Sequence, residues 1–199
     1  MEEKTKFSEN VILIDVAFLN EVVCDAQKFL GAKLGRQLPN IDLPAWLSYL
    51  SLDAGLRGDK NEIQVLLLHD EGVNELRCCE PSELTSLNGM ACRTSLGEFA
   101  FACINPAGMT SCENMYLDLM NLVLDSVDVK HLMLVPLHSL YGDRVEDGLR
   151  EFFKDKSKEE CDKAMYFVME KPSSMVPSRC DFITYSLLQA LGIKSYELR

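Results

Sequence analysis

A chain of 199 residues, 47% of them hydrophobic, carries enough apolar mass for one sizeable core, and that length favours a single domain spanning 1–199 over two. A formal net charge of −11 argues against a DNA-binding module and disfavours RNA, because affinity for either polyanion comes largely from Lys and Arg neutralising phosphates. RNA as a transient substrate stays open only if the 20 basic residues gather on one face.

The charged opening, MEEKTKFSEN, lacks the apolar stretch of a signal peptide, and residues 1–9 read as a loosely ordered segment. No later run approaches the roughly 20 apolar residues that a membrane helix needs, so the expectation is a cytoplasmic protein without membrane contact. The first strand is NVILID (10–15). After it, Leu19, Val22, Val23, Ala26, Phe29 and Leu30 fall on one helical stripe, with Gly31 to Gly35 as a stop. Asp42 is placed to cap a second helix carrying Trp46, Leu47 and Leu50, with Pro44 tolerated in its first turn.

IQVLLL (63–68) is the second strand and FAFACI (99–104) the third. Between them, residues 70–98 are rich in turn formers and suggest only a short helix in SELTSLNG. A third helix is expected over about Cys112–Val127, then the fourth strand HLMLVP (131–136) and a fourth helix over Asp143–Phe153. KDKSKEECDK (154–163) reads as a solvated loop or helix end, AMYFVM (164–169) as the fifth strand, and about Arg179–Leu191 as the last helix. The strand runs are nearly continuous in apolar residues rather than alternating, which implies burial on both faces, as in a parallel sheet covered by helices. The fold class predicted is therefore an α/β sandwich with a mainly parallel sheet of about five strands.

Eight cysteines (Cys24, Cys78, Cys79, Cys92, Cys103, Cys112, Cys161 and Cys180) occur without a C-x-x-C pair or a secretory signal. Free thiols acting as small hydrophobes account for them better than disulfides or zinc ligands. No G-x-G-x-x-G and no G-x-x-x-x-G-K-[ST] is present, so dinucleotide and P-loop readings fail. A second Asp two residues after Asp15, as a haloacid-dehalogenase-type phosphotransferase needs, is replaced by Ala17.

Asp15 closes the first strand, where open α/β sheets bind ligands. I-L-I-D15 followed by V-A-F-L-N20, Glu113 in T-S-C-E-N-M-Y, and Asp181 in R-C-D-F-I-T-Y resemble, over residues 10–193, the NYN branch of the PIN-like nucleases. The resemblance implies a three-layer sandwich with strand order 3-2-1-4-5, and carboxylates that hold Mg²⁺ or Mn²⁺ to hydrolyse single-stranded RNA. Asp15, Glu113 and Asp181 would be the ligands, with Asp15, Glu113 and His138 as the catalytic set. In that family the fourth strand leads into S-G-D-x-D-F. Here V-P-L-H-S-L-Y puts His138 and Leu140 where the two aspartates belong. Imidazole is a softer ligand than carboxylate and an isobutyl group is none, so the expected outcome is a weakened metal site and a binding or interaction module, serving a protein partner or a homo-oligomer.

Simpler roles compete for each residue. Thr110 and Glu113 form a capping-box pattern, as do Asp143 and Glu146. Asp118 shares a stripe with Asn114, Asn121 and Asp125 and reads as a solvated face. His138–Ser139 suggests a hydrolase and His138 with Cys103 or Cys112 a thiol dyad, but neither has supporting spacing. His138 as acid or base toward a small molecule, and His69 at the second strand end, remain further candidates for the same cleft.

Overall fold

The computed structural model describes residues 6–172 and 174–198. In chain order the elements are β1 (Asn10–Asp15), a π-helix (Phe18–Val23), α1 (Cys24–Leu34), β2 (Ile41–Asp42), α2 (Leu43–Asp53), β3 (Asn61–Leu68), β4 (Cys79–Glu80), α3 (Leu84–Leu87) and β5 (Ala91–Thr94). They continue with β6 (Gly97–Ile104), α4 (Cys112–Asp125), β7 (His131–Val135), α5 (His138–Phe153), α6 (Lys158–Cys161), β8 (Ala164–Val168), β9 (Arg179–Phe182), α7 (Ile183–Ala190) and a 3₁₀ turn at Ser195–Leu198.

The main sheet has seven strands in the order β5-β6-β3-β1-β7-β8-β9, all parallel except β5. The five apolar runs predicted as strands are β1, β3, β6, β7 and β8, and they lie side by side as third, second, first, fourth and fifth. Every residue of β1 and β8 is buried, as their unbroken apolar sequences require. The expected count of five was too low, because a short strand was added at each edge. β5 pairs on one side only, with β6, and its sequence ACRT has no apolar run to announce it. Arg179–Phe182, expected to begin the last helix, is instead β9, whose half-buried and exposed residues alternate as on an edge strand; the helix starts at Ile183.

Asp42 caps α2 as expected, accepting the Ala45 N–H at 2.9 Å, and Trp46 lies fully buried with its indole N–H donated to Ser186 of α7 at 3.3 Å. The first helical stripe fails in part. One π turn precedes α1, and its wider pitch rotates everything that follows, so Leu19 and Val23 are buried while Phe29 is 69% exposed. Gly35 ends α1 in the left-handed conformation, as the stop signal implied. The 154–163 segment holds the four-residue α6, closed by a capping box between Ser157 and Glu160. Within 70–98, the helix in SELTSLNG is the single turn α3, and β4 pairs with β2 in a separate two-stranded sheet.

Gly97 marks the tightest approach in the sheet. Its φ is +146°, and a Cβ there would lie 2.1 Å from the Asn61 carbonyl oxygen, so β6 can begin beside β3 only with glycine. Of the segment 1–9, residues 1–5 lie outside the described residues; Phe7 is buried and Glu9 pairs with Lys130 at 2.8 Å. All eight cysteines are free thiols. Among the described residues no helix is long and apolar enough to cross a membrane.

Candidate functional site

The chain leaves β1 toward β3 and β6 on one side, then returns past β1 to β7 on the other. The carboxyl ends of β1 and β7 therefore flank the switch point of the sheet, the place where parallel sheets open a crevice. Asp15 pairs with Leu68, and Ile14 with Val135, so these strand ends finish nearly flush. The turn that follows β7, Leu137 to Tyr141, divides the crevice into two clefts.

The first cleft, about 340 Å³, is lined by Asp15, Glu21, Asp70, Glu113 and Tyr141, with Ser111 and Cys112 at the start of α4 and Leu140 from the dividing turn. Asp15 is only 3% exposed. Its Oδ1 accepts the Ala17 N–H at 2.8 Å, and its Oδ2 accepts the Tyr141 hydroxyl at 2.5 Å. Burial pushes the Asp15 pKa above its ordinary 3.8; the two hydrogen bonds oppose that rise, and the negative charges of Asp70 and Glu21 add to it. Tyr141, buried against the Tyr116 ring at 5.4 Å, is held as a hydrogen donor because desolvation raises its own pKa. Glu113 is engaged by Arg144, whose other nitrogen donates to Asn114 at 3.1 Å. Cys112 is pushed up to about 12, first by burial and then by the neighbouring Asp70 carboxylate, which keeps it a neutral thiol rather than a nucleophile.

The second cleft, about 520 Å³, is lined by His138, Gly142, Asp143 and Glu146 of α5, Tyr166 and Val168 of β8, the Met169–Pro172 loop, and Phe18 and Val22 from the π turn. Ser139 lines both clefts. His138 Nε2 lies 2.7 Å from the Phe167 carbonyl oxygen, and since a carbonyl only accepts, Nε2 carries the proton. Burial lowers the His138 pKa below 6.5, and the bond to Phe167 acts against that. The imidazole therefore stays neutral, with an unprotonated Nδ1 that is buried and has no partner among the described residues.

Asp15 and Glu113 thus share one cleft, as expected. His138 faces the other, and Asp181 stands on β9, three strands from β1 and on the order of 14 Å across the sheet, where its carboxylate accepts the Phe182 N–H at 2.7 Å. The capping predictions shift as well. Ser111, not Thr110, caps α4 by accepting from Asn114 N at 3.2 Å, and Asp143 lies inside α5, which begins at His138 and kinks at Tyr141. Asn114, Asp118, Asn121 and Asp125 are all exposed, the solvated face expected of them. His138 and Ser139 make no hydrogen bond to each other, and Cys103 bonds the Leu84 carbonyl, so neither the hydrolase nor the thiol dyad is assembled.

Glu21, Asp70, Tyr141 and Arg144 were not singled out from sequence. Asp70 had a signal: it follows the second strand in LLLHD as Asp15 closes the first, and Asp70 rather than His69 lines the cleft. Tyr141 and Arg144 act on partners 126 and 31 residues away, a pairing that only the fold makes visible.

Magnesium or manganese requires several oxygen donors converging on one point. Both Asp15 oxygens are occupied by protein donors, Glu113 is paired with Arg144, and Asp181 is remote. Among the described residues no group of three or more His, Cys, Asp or Glu side chains is arranged to hold an ion. The residues present do not fit the metal that the resemblance implied.

Fold and crevice together define an α/β protein with a mostly parallel, seven-stranded sheet flanked by helices and a divided cleft at its switch point. A family model matches residues 4–198, and the chain belongs to that family, described as a Family of unknown function (DUF6621). No curated protein and no solved structure matches it.

Proposed function

We propose that this chain is a divergent PIN/NYN-like domain that has given up metal-dependent hydrolysis and serves as a binding or interaction module. The observation that carries this reading is the internal occupation of its acids: Tyr141 donates to Asp15 and Arg144 engages Glu113. Protein groups thereby fill positions that a hard cation would need, and Asp15 is further biased toward its protonated form by burial. The net charge of −11 adds a general repulsion of polyanions.

The test is direct. Calorimetric titration with Mn²⁺ should give no binding, and labelled single-stranded RNA should stay intact with the metal present. The double variant Tyr141→Phe/Arg144→Gln, which releases both carboxylates, should gain measurable Mn²⁺ binding. Metal-dependent cleavage by the unmodified protein, lost in Asp15→Asn, overturns the proposal.

One observation favours a second reading, a metal-dependent ribonuclease acting on single-stranded RNA phosphodiesters. Asp15, Glu21, Asp70 and Glu113 line a single cleft at the sheet's carboxyl edge, more acids than the sequence resemblance implied. The same cleavage assay decides between the two.

A further inference from the structure

The second cleft is built for a ligand that the first cannot take. Its back wall holds two hydrogen-bond acceptors with nothing to accept. Glu146 is 7% exposed, and its Oε2 has no hydrogen-bond donor among the described residues. Arg150 approaches that oxygen only to 3.6 Å, because its nitrogens are spent on Ser174 and Asp147 at 2.7 Å each. The other acceptor is His138 Nδ1, left bare by the bond that Nε2 makes to Phe167. Buried acceptors without donors are uncommon and costly, and two facing one cavity signal an absent donor.

The walls describe the rest of that donor. The rings of Phe18 and Tyr166 stand 5.7 and 5.6 Å from the His138 ring, giving the cavity aromatic sides that suit a flat group. Asp143, Glu146 and Glu170 outnumber Lys171 at the lining, which favours positive charge. An anion finds little here: the first-turn amides of Leu140 and Tyr141 are turned back onto the Leu137 carbonyl. The cavity of about 520 Å³ has the size of a small-molecule site.

We propose that this cleft binds a small planar cation bearing N–H donors, of the amidine, guanidine or amino-heterocycle class, with Glu146 and His138 Nδ1 as its acceptors. Neither acceptor has open surface, so the occupant meets them through a rotation of the Glu146 side chain. The proposal stands on geometry separate from the acid cleft.

Benzamidine is the probe, titrated into ¹⁵N-labelled protein and followed by amide shifts. Saturable shifts are expected at Gly142, Val168 and Lys171, with a Kd on the order of 1 mM. Benzoate, equally flat but anionic, should give none. Glu146→Gln keeps the shape and removes the charge, and should weaken benzamidine by about tenfold. Gly142→Ala provides a variant that folds regardless: its Cβ would sit 3.6 Å from both the Tyr166 hydroxyl and His138 Cβ, an ordinary contact that narrows the cavity. It should weaken binding at least about fivefold while the thermal midpoint holds or rises. Absence of saturable shifts, shifts equal to those from benzoate, or unchanged affinity in both variants overturns the proposal.

Discussion

The two clefts beside the Leu137–Tyr141 turn are subject to the same burial, yet it leaves them in opposite conditions. In the acid cleft an ionisable group is enclosed together with its donors: Asp15 has Ala17 and Tyr141, and Glu113 has Arg144. In the His138 cleft, the acceptors Glu146 Oε2 and His138 Nδ1 are enclosed without any. Burial alone therefore does not mark a functional group. What separates a finished structural contact from a site awaiting an occupant is whether hydrogen-bonding capacity has been met inside the chain.

The largest break of that comparison is Tyr141→Ala, which empties a fully packed position and leaves the Asp15 carboxyl facing a void. A loss of about 3–5 kcal/mol in chemical denaturation is expected. Tyr141→Phe removes only the hydroxyl and should cost about 1–2 kcal/mol, because the buried acceptor stays behind. If the two variants proved equally mild, the claim that Tyr141 completes the acid cleft would fail.

Acidity sharpens the contrast. The folded Asp15 pKa lies above 3.8, so this group stabilises the fold fully below that value, and the contribution is lost as pH rises through the folded pKa. Asp15→Asn should therefore be more stable than the unmodified protein at neutral pH, with the gap closing toward about pH 4. His138 runs the other way. Its folded pKa lies below 6.5, so its contribution is present above 6.5 and is lost as pH falls through the folded pKa. His138→Gln should flatten the acid limb of the stability profile, and urea midpoints measured across pH would show both slopes.

Smallest is Arg144→Ala. The pair is partly exposed, with the Arg144 and Glu113 side chains 51% and 26% accessible, so a loss of about 0.2–1 kcal/mol that shrinks in high salt is expected. A loss several times larger would mean that the ion pair, not the Tyr141 bond, holds the acid cleft shut.

The sequence exposed those features that repeat along the chain. Unbroken apolar runs revealed β1, β3, β6, β7 and β8, since a strand buried on both faces has nowhere to put a polar residue. β5 and β9 escaped because an edge strand is half solvated, and RCDF carries the alternation of its place in only four residues. The π turn defeated helical periodicity and sent Phe29 outward. Of the site, Asp15 was legible from its position at a strand end, and Glu113 from its place in a first turn. The separation of His138 from both was not, because a turn of five residues decides which side an imidazole faces, and residue spacing carries no record of that choice.

Ser139 has its place on both sides of that turn. The turn is a party wall, and moving it toward one compartment enlarges the other. Any molecule that seats against α5 and shifts Ser139 thus changes the room left beside Asp15, and by reciprocity a group entering next to Asp15 changes the affinity on the far side by the same factor.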